Sequence, residues 1–252
     1  MEVFRDYALY YNTFYKDKSY STEAKQVDLL LNKYGKNIKK IINYGCGTGK
    51  HDIELSKIGY QCTGIDMSPL MIDLARESVT GKEMKVDFLV ADIRDYISVE
   101  KYDAVISLFH VMSYQNSNDD ILSAFQSARK ALNEGGIFLF DVWYGPGVLS
   151  DRPAVRVKEV KSDKYKLVRI ANPIMHDKTN IVDVCYEVFV IDEDTSEIRV
   201  INEKHSMRYF FRPELEAYLK MTDFKLLDNV DCITLEETGY DTWTSYFIAS
   251  AM

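Results

Sequence analysis

Apolar residues along the first 150 positions alternate between two spacings. Ala24, Val27, Leu30, Leu31 and Tyr34 recur three or four residues apart behind Ser21 and Thr22, and Gly35 follows, so a helix is predicted over Thr22–Tyr34. Ile41, Ile42 and Tyr44 form a short apolar run, the mark of a buried strand. A helix at His51–Lys57, stopped before Gly59, and a strand at Tyr60–Ile65 come next. Ser68 and Pro69 then supply an N-cap and a first-turn proline for a helix reaching about Val79, with Leu70, Met71, Leu74 and Ala75 turned inward. Strands at Val86–Val90 and Tyr102–Leu108, a helix at Asp119–Leu132 closed by Asn133, Gly135 and Gly136, and a strand at Ile137–Phe140 continue the alternation. Strands and helices in turn at this spacing predict an α/β fold with a parallel sheet between helices, and ligands in such folds collect at the C-terminal strand ends. Gly45, Asp66, Asp92, Phe109, His110 and Asp141 are all expected on that rim.

From about Pro153 to Phe211 the helical spacing disappears. Lys164–Ile170, Ile181–Ile191 and Ile198–Phe211 are rich in strand-forming residues and are separated by turn-like clusters at Met175–Asn180 and Asp192–Ser196. This predicts an antiparallel insertion that serves as substrate floor, dimer surface or both. A helix at Pro213–Thr222 and strands at Phe224–Val230 and Thr244–Ala251 complete a doubly wound, Rossmann-like, seven-stranded, mainly parallel sheet. Three regions follow: 1–150, an aromatic lid and the core; 151–211, the insertion; and 212–252, the completion of the core.

The first twenty residues carry Phe4, Tyr7, Tyr10, Tyr11, Phe14, Tyr15 and Tyr20, suited to a packed cap, to a lid over a ligand, or to both. With 31 basic against 39 acidic residues the net charge is -8, which argues against a nucleic-acid partner. No signal peptide or membrane span is seen, so the chain is expected to be cytoplasmic and to have no membrane partner. Cys46, Cys62, Cys185 and Cys232 lack zinc-ligand or CxxC spacing and are expected to be reduced; no metal is expected.

The stretch KIINYGCGTGK (Lys40–Lys50) carries the chemistry. Glycines at 45, 47 and 49 allow a tight strand-to-helix turn on whose bare backbone a cofactor can lie. A dinucleotide fingerprint would need glycine at Lys50. A phosphate-binding P-loop would need glycine at Tyr44 and Ser or Thr at His51. Neither condition is met. The GxGxG order, with Asp66 closing the next strand, resembles class I S-adenosylmethionine (SAM) dependent methyltransferases, from about Tyr20 to the end of the chain. One departure is Asn43, where that family usually has an acid two residues before the first glycine. YNTFYKDKSYSTEA (Tyr11–Ala24), SLFHVMSY (Ser107–Tyr114), DVWYGP (Asp141–Pro146) and the β insertion are similar to those of small-molecule methyltransferases that act on nucleotide-linked aminosugars.

The resemblance implies SAM as cofactor, S-adenosylhomocysteine as its product, and methyl transfer to the nitrogen or oxygen of a small polar acceptor such as an aminosugar. Asp66 would hold the ribose hydroxyls, Met67 and Ile93 would sandwich the adenine, and Asp92 would meet its edge. Asn43, Gly45, Cys46, Gly47, Gly49, Ser107, Leu108 and Tyr20 would surround the methionine end. Tyr11, Tyr15, His110 and Trp143 would surround the acceptor, with His110 and Tyr15 as the catalytic pair, and His205 and Tyr209, alternating on one insertion strand, would also contact it. His51 and His176 read as helix-surface and turn residues. Lys16, Lys18, Arg208 and Arg212 are the cations available to a sugar diphosphate. A different small acceptor, or SAM binding without turnover, are the competing readings.

Overall fold

A computed structural model describes residues 7–252; Phe4 of the aromatic N-terminal stretch lies outside them. The chain runs through α1 (Ala8–Phe14), α2 (Tyr20–Tyr34), β1 (Lys40–Tyr44), α3 (Lys50–Ile58), β2 (Gln61–Asp66), α4 (Pro69–Val79), β3 (Val86–Val90) and β4 (Tyr102–Ser107). A 3-10 turn at Val111–Tyr114 leads to α5 (Asn118–Ala131), β5 (Leu132–Tyr144) and α6 (Gly145–Ser150). The insertion supplies β6 (Arg156–Lys161), β7 (Tyr165–His176), β8 (Ile181–Asp192) and β9 (Ile198–Phe210), before α7 (Arg212–Met221), β10 (Phe224–Asp231) and β11 (Thr244–Ala251).

The core sheet has the order β3-β2-β1-β4-β5-β11-β10, with β1 to β5 parallel and β11 antiparallel to both neighbours. Period-two alternation sorts its side chains. Ile41, Ala104, Ile106, Ile137 and Leu139 pack with Val27, Leu30 and Leu31 of α2, while Ile42, Val105, Phe138 and Phe140 pack with Phe125 of α5 and Leu215 of α7. Phe140 stacks on Phe247 with ring centroids 5.6 Å apart. The strand order reverses between β1 and β4, which opens a crevice at their C-terminal ends.

The insertion is hydrogen-bonded into this sheet. β4 ends opposite Phe140, and β9 takes the vacated edge of β5 in parallel register, Trp143 with Tyr209 and Tyr144 with Phe210. The antiparallel sheet β9-β8-β7-β6 therefore starts just beyond the crevice. Arg208 anchors the junction: its guanidinium reaches Glu214, Asn118 (3.0 Å) and the Tyr218 hydroxyl (3.3 Å), and it lies over the Phe210 ring.

Three elements go beyond the predicted pattern. Helix α1 packs Tyr7 and Phe14 against Leu167, Val188 and Ile201 of the insertion, so its apolar positions answer to a distant sheet. Helix α6 is only six residues long, with a proline in its first turn. Strand β6 exposes Val157 and Lys161 on the sheet edge, which leaves almost no alternation to detect.

Candidate active site

Glycines 45, 47 and 49 all have left-handed φ values of 73°, 55° and 71°. Packing alone demands the outer two: a Cβ on Gly45 would stand 2.5 Å from Val111, and one on Gly49 2.4 Å from Phe88. A Cβ on Gly47 would meet no atom within 4 Å, and Gly47 lines a cavity of about 670 Å³. The loop is bound to the end of β2 through one carboxylate. Asp66 accepts the Gly47 N–H at Oδ2 (2.9 Å) and the Ser68 N–H at Oδ1 (2.9 Å). Burial pushes this carboxyl upward, against the two backbone donors that favour its charge. Ser68 then caps α4 by accepting the Met71 N–H.

Met67, Asp92, Ile93 and Leu108 line the same cavity. Asp92 is held by Arg94, whose Nε donates to both of its oxygens (3.0 and 3.1 Å) and whose Nη2 donates to it as well, while Nη1 donates to Asp120 at 2.9 Å. That guanidinium keeps the Asp92 carboxyl below the usual range. Cys46 faces the cavity with its thiol pushed upward by burial, and all four cysteines are free.

The structure moves several residues that the sequence placed at the site. Asn43 is buried behind the loop, where its Nδ2 donates to Asp52 Oδ2 at 2.8 Å, so its amide does not face the cavity. The Ser107 hydroxyl donates to the Tyr44 carbonyl at 3.0 Å, inside the sheet. Tyr209 packs with Val148, Val182 and Val184 at the seam of the two sheets, two residues past the point where β9 leaves the cavity at Met207. His51 is not a surface residue. It is buried on the first turn of α3, contacts Glu23 Oε2 through Nε2 at 2.6 Å and packs edge-on against Tyr20. Lys18 pairs with the other Glu23 oxygen; burial raises the Glu23 carboxyl, but His51 first and Lys18 second draw it down to about 2. Tyr20 lines the cavity beside Tyr11 and Glu23, and its buried hydroxyl completes no hydrogen bond to the protein.

At the other end the chain bends sharply after β4. Phe109 and His110 both adopt left-handed φ, 67° and 69°, an unfavourable conformation for bulky residues. Asp141 of β5 offsets this cost by accepting the His110 backbone N–H at Oδ1 (2.9 Å), while its Oδ2 lies 2.7 Å from His110 Nδ1. The Nδ1–Oδ2 approach lacks hydrogen-bond geometry, so the position of His110 is set chiefly by the backbone bond to Asp141. Tyr11, Tyr15, Trp143 and His205 share this end of the cavity. Tyr7, Tyr114 and Tyr186 join them without having been singled out as acceptor contacts. Tyr7 and Tyr15 each accept a hydrogen bond from Arg169 on β7 (2.6 and 3.3 Å), a link between α1 and the insertion that no local signal announces. Lys16, Lys18, Arg208 and Arg212 all lie off the cavity; its cations are Lys50, Arg94 and Lys204. Among the described residues no cluster of His, Cys, Asp or Glu has the arrangement of a metal site, and no helix is long and apolar enough to cross a membrane.

Residues 41–136 match the family described as methyltransferase domain, and the chain carries the fold of SAM-dependent methyltransferases around it. More particularly, it is similar to sugar N-methyltransferases over nearly its whole length. It is 23% identical over 214 residues to the dTDP-3-amino-3,4,6-trideoxy-alpha-D-glucopyranose N,N-dimethyltransferase of Streptomyces venezuelae, covering 84% of this chain and 87% of that one. The crystal structure of Streptomyces venezuelae DesVI superposes with a TM-score of 0.81 at 21% identity, over 100% of both chains. The sugar N-methyltransferase KedS8 of Streptoalloteichus does so at 0.81 and 18% identity, over 100% of this chain and 96% of that one. The chain spans about half, 55%, of the length of the methyltransferase YqeM of Bacillus subtilis, to which it is 28% identical over 141 residues.

Proposed function

We propose that this protein transfers a methyl group from SAM to the nitrogen or oxygen of a small polar acceptor, an aminosugar by class. The observation that carries the reading is the joining of Asp66 to the Gly47 amide on the wall of a cavity that also holds His110 and Tyr15. The residues present fit SAM. Gly47 leaves bare backbone open to the cavity, Asp66 offers a carboxylate to a ribose, Met67 and Ile93 offer apolar faces to a purine, and Tyr20 brings an orphaned hydroxyl to the loop end. Bound SAM supplies an activated sulfonium methyl, so the chain's own task is to align an acceptor and take its proton.

His110, held by Asp141, serves as the proton acceptor at the strand end, and Tyr15 fixes the acceptor from the lid. In this reading 1–150 and 212–252 make the cofactor core and 151–211 the substrate floor. Two copies would meet along the free edge β6, where Val155 and Val157 are exposed. The protein works in the cytoplasm, on small molecules. The alternative of binding without turnover rested on Asn43, whose Nδ2 donates to Asp52 rather than facing the cavity.

The test is to incubate purified protein with SAM and a panel of nucleotide-linked aminosugars and to follow methyl addition by mass spectrometry. Methylated sugar supports the reading. Tight SAM binding with every acceptor unmodified, or saturable NAD binding without SAM binding, removes it.

A further inference from the structure

Behind the glycine loop lies a buried carboxyl that methyl transfer does not use. Asp52, on the first turn of α3, is fully buried, and the side chain that meets it is Asn43 of β1, whose Nδ2 donates to Asp52 Oδ2 at 2.8 Å. The other oxygens of the pair, Asp52 Oδ1 and Asn43 Oδ1, are also buried and complete no hydrogen bond among the described residues. No described cation neutralises the carboxyl: His51, beside it on α3, is turned to Glu23 of α2 at 2.6 Å. The titratable groups that feel its charge are the thiols of Cys46 in the loop and Cys62 on β2, each raised by burial first and by Asp52 second, and both therefore neutral. Asp66, at the end of β2, also bears on Cys46. Burial lifts Asp52 itself to about 7, against the Asn43 donor and a backbone N–H. Cys46 lines the cavity, so the field of Asp52 reaches the wall on which the cofactor would lie.

We propose that Asp52 is a buried counter-charge for a cationic cofactor: protonated in the ligand-free protein, it gives up its proton when SAM occupies the glycine loop. The inference rests on the SAM reading. SAM carries a sulfonium and an ammonium against one carboxylate, and a net positive charge placed near a buried carboxyl favours its ionised form. The proton leaves Asp52 for solvent, and the carboxylate that remains keeps the Asn43 amide as its donor; no other bond changes. Asp52 does not line the cavity, so it is a positioning residue that acts through its field. The sign follows by linkage. Well below the pKa of either state Asp52 is neutral with and without SAM and adds nothing to binding. Above the ligand-free value it is charged in both states and the attraction is fully present, so affinity rises with pH towards about 7.

The test is calorimetric titration with SAM from about pH 5 to about pH 8 for wild type, Asp52→Asn and the exchanged pair Asn43→Asp with Asp52→Asn, in two buffers of different ionisation enthalpy. Groups on SAM and elsewhere on the protein titrate alike in all three, so the ratio of wild-type to Asp52→Asn affinity isolates this carboxyl. That ratio is expected to rise about tenfold across the range, with a fraction of a proton released by wild type near neutral pH that Asp52→Asn does not release. The exchanged pair, which returns a carboxyl to the same contact, is expected to bind within about threefold of wild type at the alkaline end. Infrared difference spectra of wild type at about pH 6 need no variant, and the protonated-carboxyl band should bleach when SAM is added. A ratio constant within about twofold, or a carboxyl band that SAM leaves untouched, overturns the counter-charge while leaving the methyltransferase reading standing. Absence of SAM binding by wild type at every pH overturns both.

Discussion

Asp66→Asn probes the loop and the ligand together. In the folded chain the two Asp66 oxygens each accept a backbone N–H at 2.9 Å, from Gly47 and Ser68. An asparagine has one acceptor oxygen, so its amide N–H₂ must oppose one of those donors. A buried donor left unmet costs about 1–3 kcal/mol. For a chain of this size that corresponds to a fall in Tm of roughly 2–12 °C. In the proposed reading the same substitution also removes a charged acceptor from the cofactor's ribose. Losing one hydrogen bond to a charged group, about 1.5–3 kcal/mol, weakens SAM binding by roughly 10- to 150-fold. Thermal melts without ligand read the first effect, and calorimetric titration with SAM the second. A variant that binds SAM within about threefold of wild type would refute the placement of the ribose on Asp66.

Gly47→Ala puts a methyl group into the open space of the cavity at a left-handed φ, so it should lower stability by about 1 kcal/mol and SAM affinity by roughly tenfold or more; unchanged calorimetry would move the cofactor off the loop. His110→Ala should lower kcat by about tenfold or more while leaving SAM affinity alone, and steady-state kinetics with an unchanged kcat would return His110 to a structural role. Asp52 is fully buried, and burial lifts its carboxyl to about 7, from an ordinary value near 4 in the unfolded chain. The folded chain thus holds a proton that the unfolded chain has released between those values, so this group's contribution to stability is lost as pH rises from about 4 to about 7. Asp52→Asn cannot ionise, and its Tm should gain on wild type as pH is raised through that window; a constant difference across thermal melts would show that Asp52 is already charged.

Much of the site was legible because its determinants are local. A run of three glycines between an apolar strand and a helix, an acid at the end of the next strand and a serine-proline helix start each fix a backbone shape from neighbouring residues. The strand ends then bring Gly47, Asp66, Asp92 and His110 to one cavity. Asn43 was harder: strand alternation shows that it points away from Ile42, but only the packing of α3 reveals Asp52 as its partner. His51 read as exposed because its helix is short and mostly polar, yet Tyr20 and Glu23 arrive from α2 to cover it.

The sequence by itself determined the order of strands and helices, the turn that bares backbone to a ligand, and the acidic residue beside it. All of these follow from side-chain periodicity and from the conformations that glycine and proline permit. Only the tertiary structure decided which residues of the insertion line the cavity. His205 and Tyr209 share a strand face, but β9 crosses from the cavity into the seam with β5 between them, so one joins Tyr114 and Glu203 while the other is sealed among valines. That outcome depends on pairing between strands far apart in sequence, which no pattern within either strand encodes.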